Sequence, residues 1–368
     1  MAQKQHIALR VAALIGVLLL FFVSLELMGG AFKLMGRGFA ETLLSTTANP
    51  FVGLFAGILA TSLVQSSSTV TSLTVALVAT GNLTIPGAVP IIMGANIGTT
   101  VTNTIVSLGH ITRPEEFKRA IAGATVHDFF NFMAVLLLFP LEILFGFIST
   151  PAEAMTAALA GIGGTNLLSP LQLITKPISG WVIDLFAQNG IAVLLTGLAA
   201  MFLALRYLVV LLKSLVMGKS EVFLHKYIFG SPAAAMLCGM VLTVMVQSSS
   251  VTTSVAVPLV GAGILSVRQI FPYTLGANVG TTITGMLAGL TLAGSGEVGA
   301  AAGLTVAFAH LLFNIFGIVF IYLIKPVREI PIRAAEWLGE LTLKNRTAAL
   351  AYIAILFFLL PLLLVFVT

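Results

Sequence analysis

Two stretches of the chain, 42–112 and 227–267, contain no charged residue, and the pentapeptide VQSSS occurs once in each. Over all 368 residues, 58% are hydrophobic and only 8% are charged, whereas about a quarter of the residues in a soluble domain are charged. Long apolar runs of this kind are typical of helices that cross a membrane. The sequence therefore predicts an all-α polytopic membrane protein in contact with lipids. Its net charge of +5 is assigned to loops rather than to a nucleic-acid surface.

The chain is internally duplicated. Residues 61–102 align with 243–284 at an offset of 182 without a gap, and 21 of the 42 positions are identical. The matches include both QSSS runs and the pair GANIGTT (94–100) and GANVGTT (276–282). Downstream, at an offset of 183, His127 matches His310 and Asn131 matches Asn314. Similarity over this length indicates that a whole membrane unit is repeated.

The duplication predicts a first repeat at 1–150, a linker at 151–189, a second repeat at 190–326, and a linker with a final transmembrane helix at 327–368. Each repeat should contain one helix, a QSSS segment and two more helices. These are expected at about 7–29, 50–80, 85–108 and 119–145, then at about 190–217, 232–264, 268–294 and 299–325. An interfacial helix is expected near Trp181. The first apolar run, about 20 residues long, is interpreted as a spanning helix because it is too long for a signal peptide.

The QSSS segments are too short on either side of the polar run to cross a membrane. Their two arms, 50–65 and 68–80, would reach about 24 and 20 Å as helices, against a hydrocarbon core of about 30 Å. We therefore expect a re-entrant hairpin in each repeat, with its tip near mid-membrane. The alternative is one continuous helix whose hydroxyls bond to its own carbonyls.

The distribution of basic residues predicts the topology. If each hairpin returns to its side of entry, each repeat crosses three times and the second repeat is inverted relative to the first. With this topology 14 Lys and Arg residues lie on the side of the N-terminus and 3 on the other. Since cytoplasmic loops are enriched in Lys and Arg, the N-terminus is predicted to be cytoplasmic and the C-terminus outside. Hairpins that crossed fully twice would give the same count.

A broken helix at QSSS can bind an anion. The first N–H groups of the second arm are unpaired and lie at the positive end of its dipole, and serine can both cap that arm and donate hydroxyls. Two such tips facing each other would surround a small oxyanion such as phosphate or sulfate without any Lys or Arg. The predicted anion-binding residues are Gln65, Ser66, Ser67, Ser68, Gln247, Ser248, Ser249 and Ser250.

The GAN(I/V)GTT segments offer neutral oxygen ligands. Their glycines permit a discontinuous helix and close backbone approach, and uncharged oxygen ligands suit Na⁺ better than a transition metal. The side chains concerned are Asn96, Thr99, Thr100, Asn278, Thr281 and Thr282.

Several polar residues allow more than one interpretation. Small and hydroxylated residues also pack membrane helices together, and Glu26 and Arg206 can snorkel or pair near helix ends. Asp128 lies deep in its helix, where an unpaired charge is costly, and is predicted to be functional. Asp128, His127 and His310 leave proton coupling open.

Five sequence motifs together resemble those of the type II sodium-dependent phosphate cotransporters. The motifs are TSLVQSSSTVTS (61–72), PIIMGANIGTTVTNTIVSL (90–108) and FKRAIAGATVHDFFN (117–131), with VMVQSSSVTTS and TLGANVGTTITG in the second half. The resemblance covers most of 50–145 and 232–320. It implies a transporter, not an enzyme, that imports inorganic phosphate with Na⁺ as the coupling ion and no other cofactor, in the inner or plasma membrane.

The resemblance also implies roles for individual residues. It assigns phosphate binding to both QSSS runs. It assigns one sodium site to Gln247, Ser248, Thr281 and Thr284, with Thr104 nearby. It assigns Asn131 to another sodium site. Asp128 matches the acid of members that carry net charge, which implies electrogenic transport. His110 and Arg113 replace Gln and Asp of vertebrate members, and an arginine cannot bind sodium. That substitution leaves the stoichiometry open.

Three other hypotheses remain at this point. A passive anion channel or a sodium symporter for another small oxyanion could use the same sites. An intramembrane serine hydrolase would need a base beside a serine, but neither QSSS run has an adjacent His or Asp. The oligomeric state is open, a homo-oligomer included.

Overall fold

The structure is a computed structural model that describes residues 9–10, 12–24, 26–27, 30–31, 34–35, 49–79, 81–158, 170–216, 228–294 and 300–367. The regular secondary structure in these ranges is entirely helical, which confirms the predicted all-α class. The helices are α1 (Ala12–Ser24), α2 (Pro50–Val64), α3 (Ser67–Ala79), α4 (Ile85–Thr99), α5 (Val101–Ser107), α6 (Pro114–Phe145), α7 (Ser149–Ala158), α8 (Pro170–Leu185), α9 (Gly190–Val216), α10 (Pro232–Val246), α11 (Ser249–Gly261), α12 (Val267–Gly294), α13 (Ala300–Gly317), α14 (Lys325–Lys344), α15 (Thr347–Ile353) and α16 (Leu360–Val367).

Three of these helices continue in altered geometry. A 3₁₀ turn, Leu108–His110, extends α5, and a π-helical turn, Ile318–Tyr322, extends α13. A second π-helical segment, Ala354–Leu359, joins α15 to α16.

Within the described ranges, four helical stretches are long and apolar enough to cross a membrane: Ile85–His110, Pro114–Phe145, Ala301–Tyr322 and Thr347–Phe366. Large apolar side chains on several of them face outward; Leu136 is 79% exposed and Phe366 is 71% exposed. Many Asn, Thr and Ser side chains are buried instead. A surface that exposes apolar residues around a polar interior is expected of a protein surrounded by lipid.

Both QSSS segments are broken helices. Gln65, which follows α2, has φ 55° and ψ 30°, and Gln247, which follows α10, has φ 55° and ψ 31°. This left-handed conformation is uncommon outside glycine and ends the helix. The alternative of one continuous helix through either QSSS run is therefore wrong. Helices of 15 and 13 residues are about 22 and 20 Å long, which is less than the ~30 Å hydrocarbon core.

The first serine of each run caps the second helix. Ser66 Oγ accepts a hydrogen bond from the Thr69 N–H at 3.2 Å, and Ser248 Oγ accepts one from the Val251 N–H at 3.3 Å. Each bond satisfies one of the N–H groups that a helix N-terminus leaves unpaired. The predicted capping role of serine at the break is confirmed in both halves.

The GAN(I/V)GTT segments differ between the halves. In the first half α4 ends at Thr99 and α5 begins at Val101, but Thr100 between them keeps helical dihedral angles (φ −77°, ψ −15°). The helix is locally irregular there and is not unwound as predicted. In the second half α12 runs unbroken through 276–282, and the prediction of a discontinuous helix there is wrong. Thr281 and Thr282 donate to the Ala277 and Val279 carbonyls at 3.1 and 2.7 Å. These bonds satisfy both hydroxyls within the helix. In the first half Thr100 makes the equivalent bond to the Ile97 carbonyl, but the Thr99 hydroxyl is buried without a partner.

Glycines of these segments allow two helix pairs to approach closely. A Cβ atom at Gly94 would lie 2.0 Å from the Leu54 carbonyl oxygen, and one at Gly276 would lie 1.8 Å from the Met236 carbonyl oxygen. The pairs are α4 on α2 and α12 on α10. The close approach predicted from these glycines is confirmed, because only glycine fits so near another backbone.

The two halves are interlocked. Helix α11 of the second half packs against α6 of the first, and α3 of the first half packs against α13 of the second. Val260 on α11 lies against Gly123 on α6, and Val75 on α3 lies against Gly303 on α13. Each QSSS break is thus held by a helix from the other half.

Two regions predicted as linkers contain helices. A helix, α8, is present where an interfacial helix was expected, and its Trp181 is 67% exposed. The first part of the second predicted linker, 327–368, lies in α14 (Lys325–Lys344), which packs on α6. Lys118 on α6 pairs with Glu340 on α14. Arg268 donates to Glu329 at 2.5 Å, and this contact holds the pKa of Glu329 below its usual value.

Gly94→Ala tests the close packing of α4 on α2. The added methyl group must displace backbone, so the variant should lose ~2 kcal/mol or more of stability. Thermal unfolding of the purified protein in detergent measures the loss. Gly16→Ala is the matched control, because a Cβ at Gly16 meets nothing within 4 Å. Equal melting temperatures for Gly94→Ala and the parent would contradict this packing.

Candidate functional site

The breaks of the two halves line one cavity. Its volume is about 580 Å³, and Glu26 and Gly30, which follow α1, complete its walls together with α5 and α8. The lining residues are Glu26, Gly30, Val64, Gln65, Ser66, Ser68, Thr69, Ser72, Thr102, Lys176, Ser179, Gly180, Ile183, Gln247, Ser248, Ser250 and Val251. Two polar runs 182 residues apart in sequence therefore meet in one place.

Six of the eight predicted anion-binding residues line the cavity. They are the glutamine and the first and third serines of each run: Gln65, Ser66, Ser68, Gln247, Ser248 and Ser250. The middle serines, Ser67 and Ser249, are 5% and 3% exposed and lie outside the lining. The structure thus separates the middle serine of each run from its neighbours.

Two charged residues, Glu26 and Lys176, also line the cavity. Neither was predicted as a site residue, and the expectation of a cradle without Lys or Arg is wrong in this respect. Lys176 belongs to α8, whose lining residues Ser179, Gly180 and Ile183 follow it at intervals of three, four and seven. That spacing defines one helix face, and it is the sequence signal that could have identified α8 as a cavity wall.

Consecutive residues of the short helix α5 contact three different parts of the molecule. The Thr102 hydroxyl donates to Gln65 Oε1 at 3.4 Å, beside the cavity. Asn103 Oδ1 accepts hydrogen bonds from Thr253 and Ser254 of the second half at 2.9 and 3.1 Å. The Thr104 hydroxyl donates to Asp128 Oδ2 at 3.3 Å. Helix α5 therefore connects the cavity, the second half and the buried acid.

The Asp128 carboxyl group is fully buried. Its Oδ2 atom also accepts a hydrogen bond from the Tyr352 hydroxyl at 2.9 Å, whereas Oδ1 has no hydrogen-bond partner. Tyr352 was not predicted as a site residue, since nothing in its local sequence marks it. Burial of Asp128 agrees with its predicted depth in the helix.

Three asparagines form a second polar group that spans both halves. Asn278 Nδ2 donates to Asn131 Oδ1 at 3.1 Å, and Asn131 Nδ2 donates to the Asn96 carbonyl at 2.8 Å. Asn96 in turn donates to the Ile92 carbonyl at 3.0 Å. The Thr99 hydroxyl is buried without a partner.

The predicted sodium-binding residues thus fall into separate groups. Thr104 and Asp128 form one, Asn96, Asn131 and Asn278 form another, and Gln247 and Ser248 lie at the cavity. The Thr284 side chain lies outside the part of the structure that is described. In the described ranges no three His, Cys, Asp or Glu side chains come together. Hydroxyl, amide and single carboxylate oxygens are ligands that suit Na⁺.

The two residues that depart from the family pattern contact one acid. Arg113 Nη1 lies 2.7 Å from Glu116 Oε2, and His110 Nδ1 lies 3.3 Å from the same oxygen. The loop after α5 is therefore held by an acid–base cluster at this position.

Cysteine labelling tests the assignment of cavity-lining and buried serines. Cys238 is the only cysteine in the sequence, so a Cys238→Ala background carries no thiol. In this background Ser68→Cys should react with a hydrophilic, anionic thiol reagent much faster than Ser67→Cys, because only position 68 lines the cavity. The mass of the intact protein reports the reaction. Equal rates would contradict the described wall.

The chain matches a known protein family over most of its length. The family described as Na⁺/Pi-cotransporter matches residues 20–176 and 201–363. The sodium-dependent phosphate transport protein 2A of Rattus norvegicus is 35% identical over 98% of this chain and 68% of its own length. The 2B protein of Homo sapiens is 33% identical over 96% of this chain and 64% of its own length.

The chain spans about two thirds of the length of these relatives. No solved structure matches it significantly. The extent of the family match and the identity to these relatives agree with the motifs and with the apolar helices described above. The chain belongs to the Na⁺/Pi-cotransporter family.

Proposed function

We propose that this protein is a secondary active transporter that imports inorganic phosphate coupled to sodium ions. The observation that carries the proposal is the convergence of both QSSS breaks on one cavity. Family membership supports it, since the relatives' names describe sodium-dependent phosphate transport.

In this proposal phosphate binds in the cavity between the two breaks. Helices α3 and α11 begin there, so their first N–H groups and dipoles favour an anion. Gln65, Ser68, Gln247 and Ser250 add side-chain donors. Lys176 adds a positive charge to the cavity, whose lining also contains the acid Glu26. The capping serines accept the N–H of the third residue of each helix, Thr69 or Val251. The N–H groups of the first and second residues of each helix are therefore left for the anion.

Sodium ions bind beside the anion and reduce its charge. The asparagine group and the hydroxyls of Thr99 and Thr100 offer neutral oxygens, and Asp128 offers a carboxylate. Asp128 belongs to the protein, so a sodium ion that it binds is not neutralised by the transported phosphate. Release of that ion adds positive charge to each cycle, which makes transport electrogenic.

The architecture that fits this function is two inverted repeats, 1–150 and 190–326, around a central site. The helices flanking each break are shorter than the hydrocarbon core, which supports re-entrant hairpins with tips near mid-membrane. The basic residues favour a cytoplasmic N-terminus and an external C-terminus, in the inner or plasma membrane. Alternating access then follows from movement of one half against the other.

Phosphate uptake into proteoliposomes tests the function. An inward sodium gradient should drive accumulation of radiolabelled phosphate, and replacing Na⁺ with choline or K⁺ should abolish it. Because extra charge enters, an inside-negative potential should increase the rate. Sodium-independent phosphate flux would favour a passive anion channel, and competition by sulfate or arsenate would favour a broader oxyanion symporter.

Lys176→Gln tests the contribution of α8 to anion binding. The apparent KM for phosphate should rise about fivefold, the factor that corresponds to ~1 kcal/mol between unit charges about 4 Å apart in water. Lys176→Arg should retain most of the affinity, and the effect should shrink at high ionic strength. Lys325→Gln on α14 is the control. An unchanged KM in Lys176→Gln would contradict the role of this lysine.

A further inference from the structure

The buried acid breaks the internal duplication. At the offset that matches His127 with His310, Asp128 corresponds to Leu311. At the offset of the upstream alignment, its partner Thr104 corresponds to Met286. The duplication therefore provides two QSSS breaks but only one carboxylate with its hydroxyl donor.

The carboxylate has one satisfied and one unsatisfied oxygen. Oδ2 accepts hydrogen bonds from Tyr352 at 2.9 Å and Thr104 at 3.3 Å, and Oδ1 is buried without a partner. In the described ranges no Lys or Arg side chain interacts with the group. Buried polar atoms are nearly always paired, and an isolated charge in the membrane is costly. Either a bound cation or protonation of the carboxyl group would compensate the unpaired oxygen.

A neutral oxygen lies beside the carboxylate. The Thr100 side chain is within hydrogen-bonding reach of Asp128. Its hydroxyl donates to the Ile97 carbonyl at 2.7 Å. Since a hydroxyl has one proton, this bond leaves the oxygen lone pairs of Thr100 available to a cation.

Tyr352 comes from outside both predicted repeats. It lies on α15, 224 residues from Asp128 in sequence. Its ring is held between Phe129 and Phe357, at centroid distances of 6.1 and 6.0 Å. Two residues later the helix becomes π-helical at Ala354–Leu359, a geometry frequent at functional sites. These two ring contacts restrict the orientation of the Tyr352 ring and therefore of its hydroxyl.

We propose that Tyr352 is a positioning residue for the coupling cation. By donating to Oδ2, it orients the Asp128 carboxylate so that Oδ1 is presented to a sodium ion together with the Thr100 oxygen. The final helix, which has no counterpart in the repeats, thereby completes the one charged cation site. This inference rests on the proposed sodium coupling and adds a residue and a helix to it.

Removal of the hydroxyl should weaken sodium binding. In Tyr352→Phe the ring packing remains but the carboxylate is free to turn and to direct either oxygen elsewhere. The loss of one hydrogen bond to a charged group corresponds to about a tenfold change in affinity. Thr104→Val should cause a smaller change in the same direction, because its bond is longer.

Sodium-dependent thermal stabilisation measures the change in sodium affinity without a transport assay. The full chain, purified in detergent, is titrated with NaCl against choline chloride at constant ionic strength, and the melting temperature reports sodium binding. Tyr352→Phe should need about tenfold more sodium for the same stabilisation. In an Asp128→Asn background the tyrosine substitution should have no further effect on the sodium response.

Tyr273→Phe is the matched control. The Tyr273 hydroxyl donates to the Thr252 carbonyl at 3.0 Å, so this variant also loses one buried tyrosine hydrogen bond. It should lower stability without changing the sodium concentration required. If Tyr352→Phe shifts the sodium curve no more than Tyr273→Phe does, the inference is wrong. If Tyr352→Phe does not fold, an unshifted curve for Thr104→Val overturns it instead.

The sodium stabilisation of the parent protein distinguishes failure of the Tyr352 inference from failure of the proposed sodium coupling. Sodium stabilisation of the parent that survives unchanged in Tyr352→Phe contradicts the role of Tyr352 and leaves sodium coupling intact. A parent that sodium stabilises no better than choline contradicts both the positioning role and the sodium part of the proposed function.

Discussion

A helix that begins inside a membrane must satisfy its first N–H groups without help from lipid. In the proposed re-entrant arrangement both QSSS segments have this requirement, because Gln65 and Gln247 each end one helix and a second helix begins two residues later. Each serine cap pairs one of these N–H groups, and the shared cavity provides a polar space for the N–H groups that remain unpaired. The site therefore exists because two helix breaks are placed together.

The breaks could be predicted because their cause is local. Four polar residues in an uncharged apolar run are costly to bury in a continuous helix, and the same run occurs twice. Neither GAN(I/V)GTT segment is unwound as predicted, since Thr100 keeps helical dihedral angles and α12 is unbroken. Identical GTT residues can bond back to their own helix, and sequence does not show which outcome tertiary packing will favour.

Other site residues could not be predicted because only tertiary contacts bring them to the site from distant parts of the sequence. Lys176 reaches the cavity from the segment between the halves, and Tyr352 reaches Asp128 from the final helix. Neither belongs to a duplicated motif. Helix α5 shows how such contacts join the site, since Thr102, Asn103 and Thr104 face the cavity, the second half and the acid in turn. Movement of α5 would therefore affect the proposed anion and cation sites together.

The central claim is that the two breaks jointly bind one oxyanion. Electron cryo-microscopy of the full chain in lipid nanodiscs, with saturating sodium and phosphate, tests it most directly. The account predicts density for a tetrahedral anion in contact with both Gln65–Ser68 and Gln247–Ser250. Density for the anion elsewhere, or a loaded protein in which the two serine runs lie apart, would contradict it.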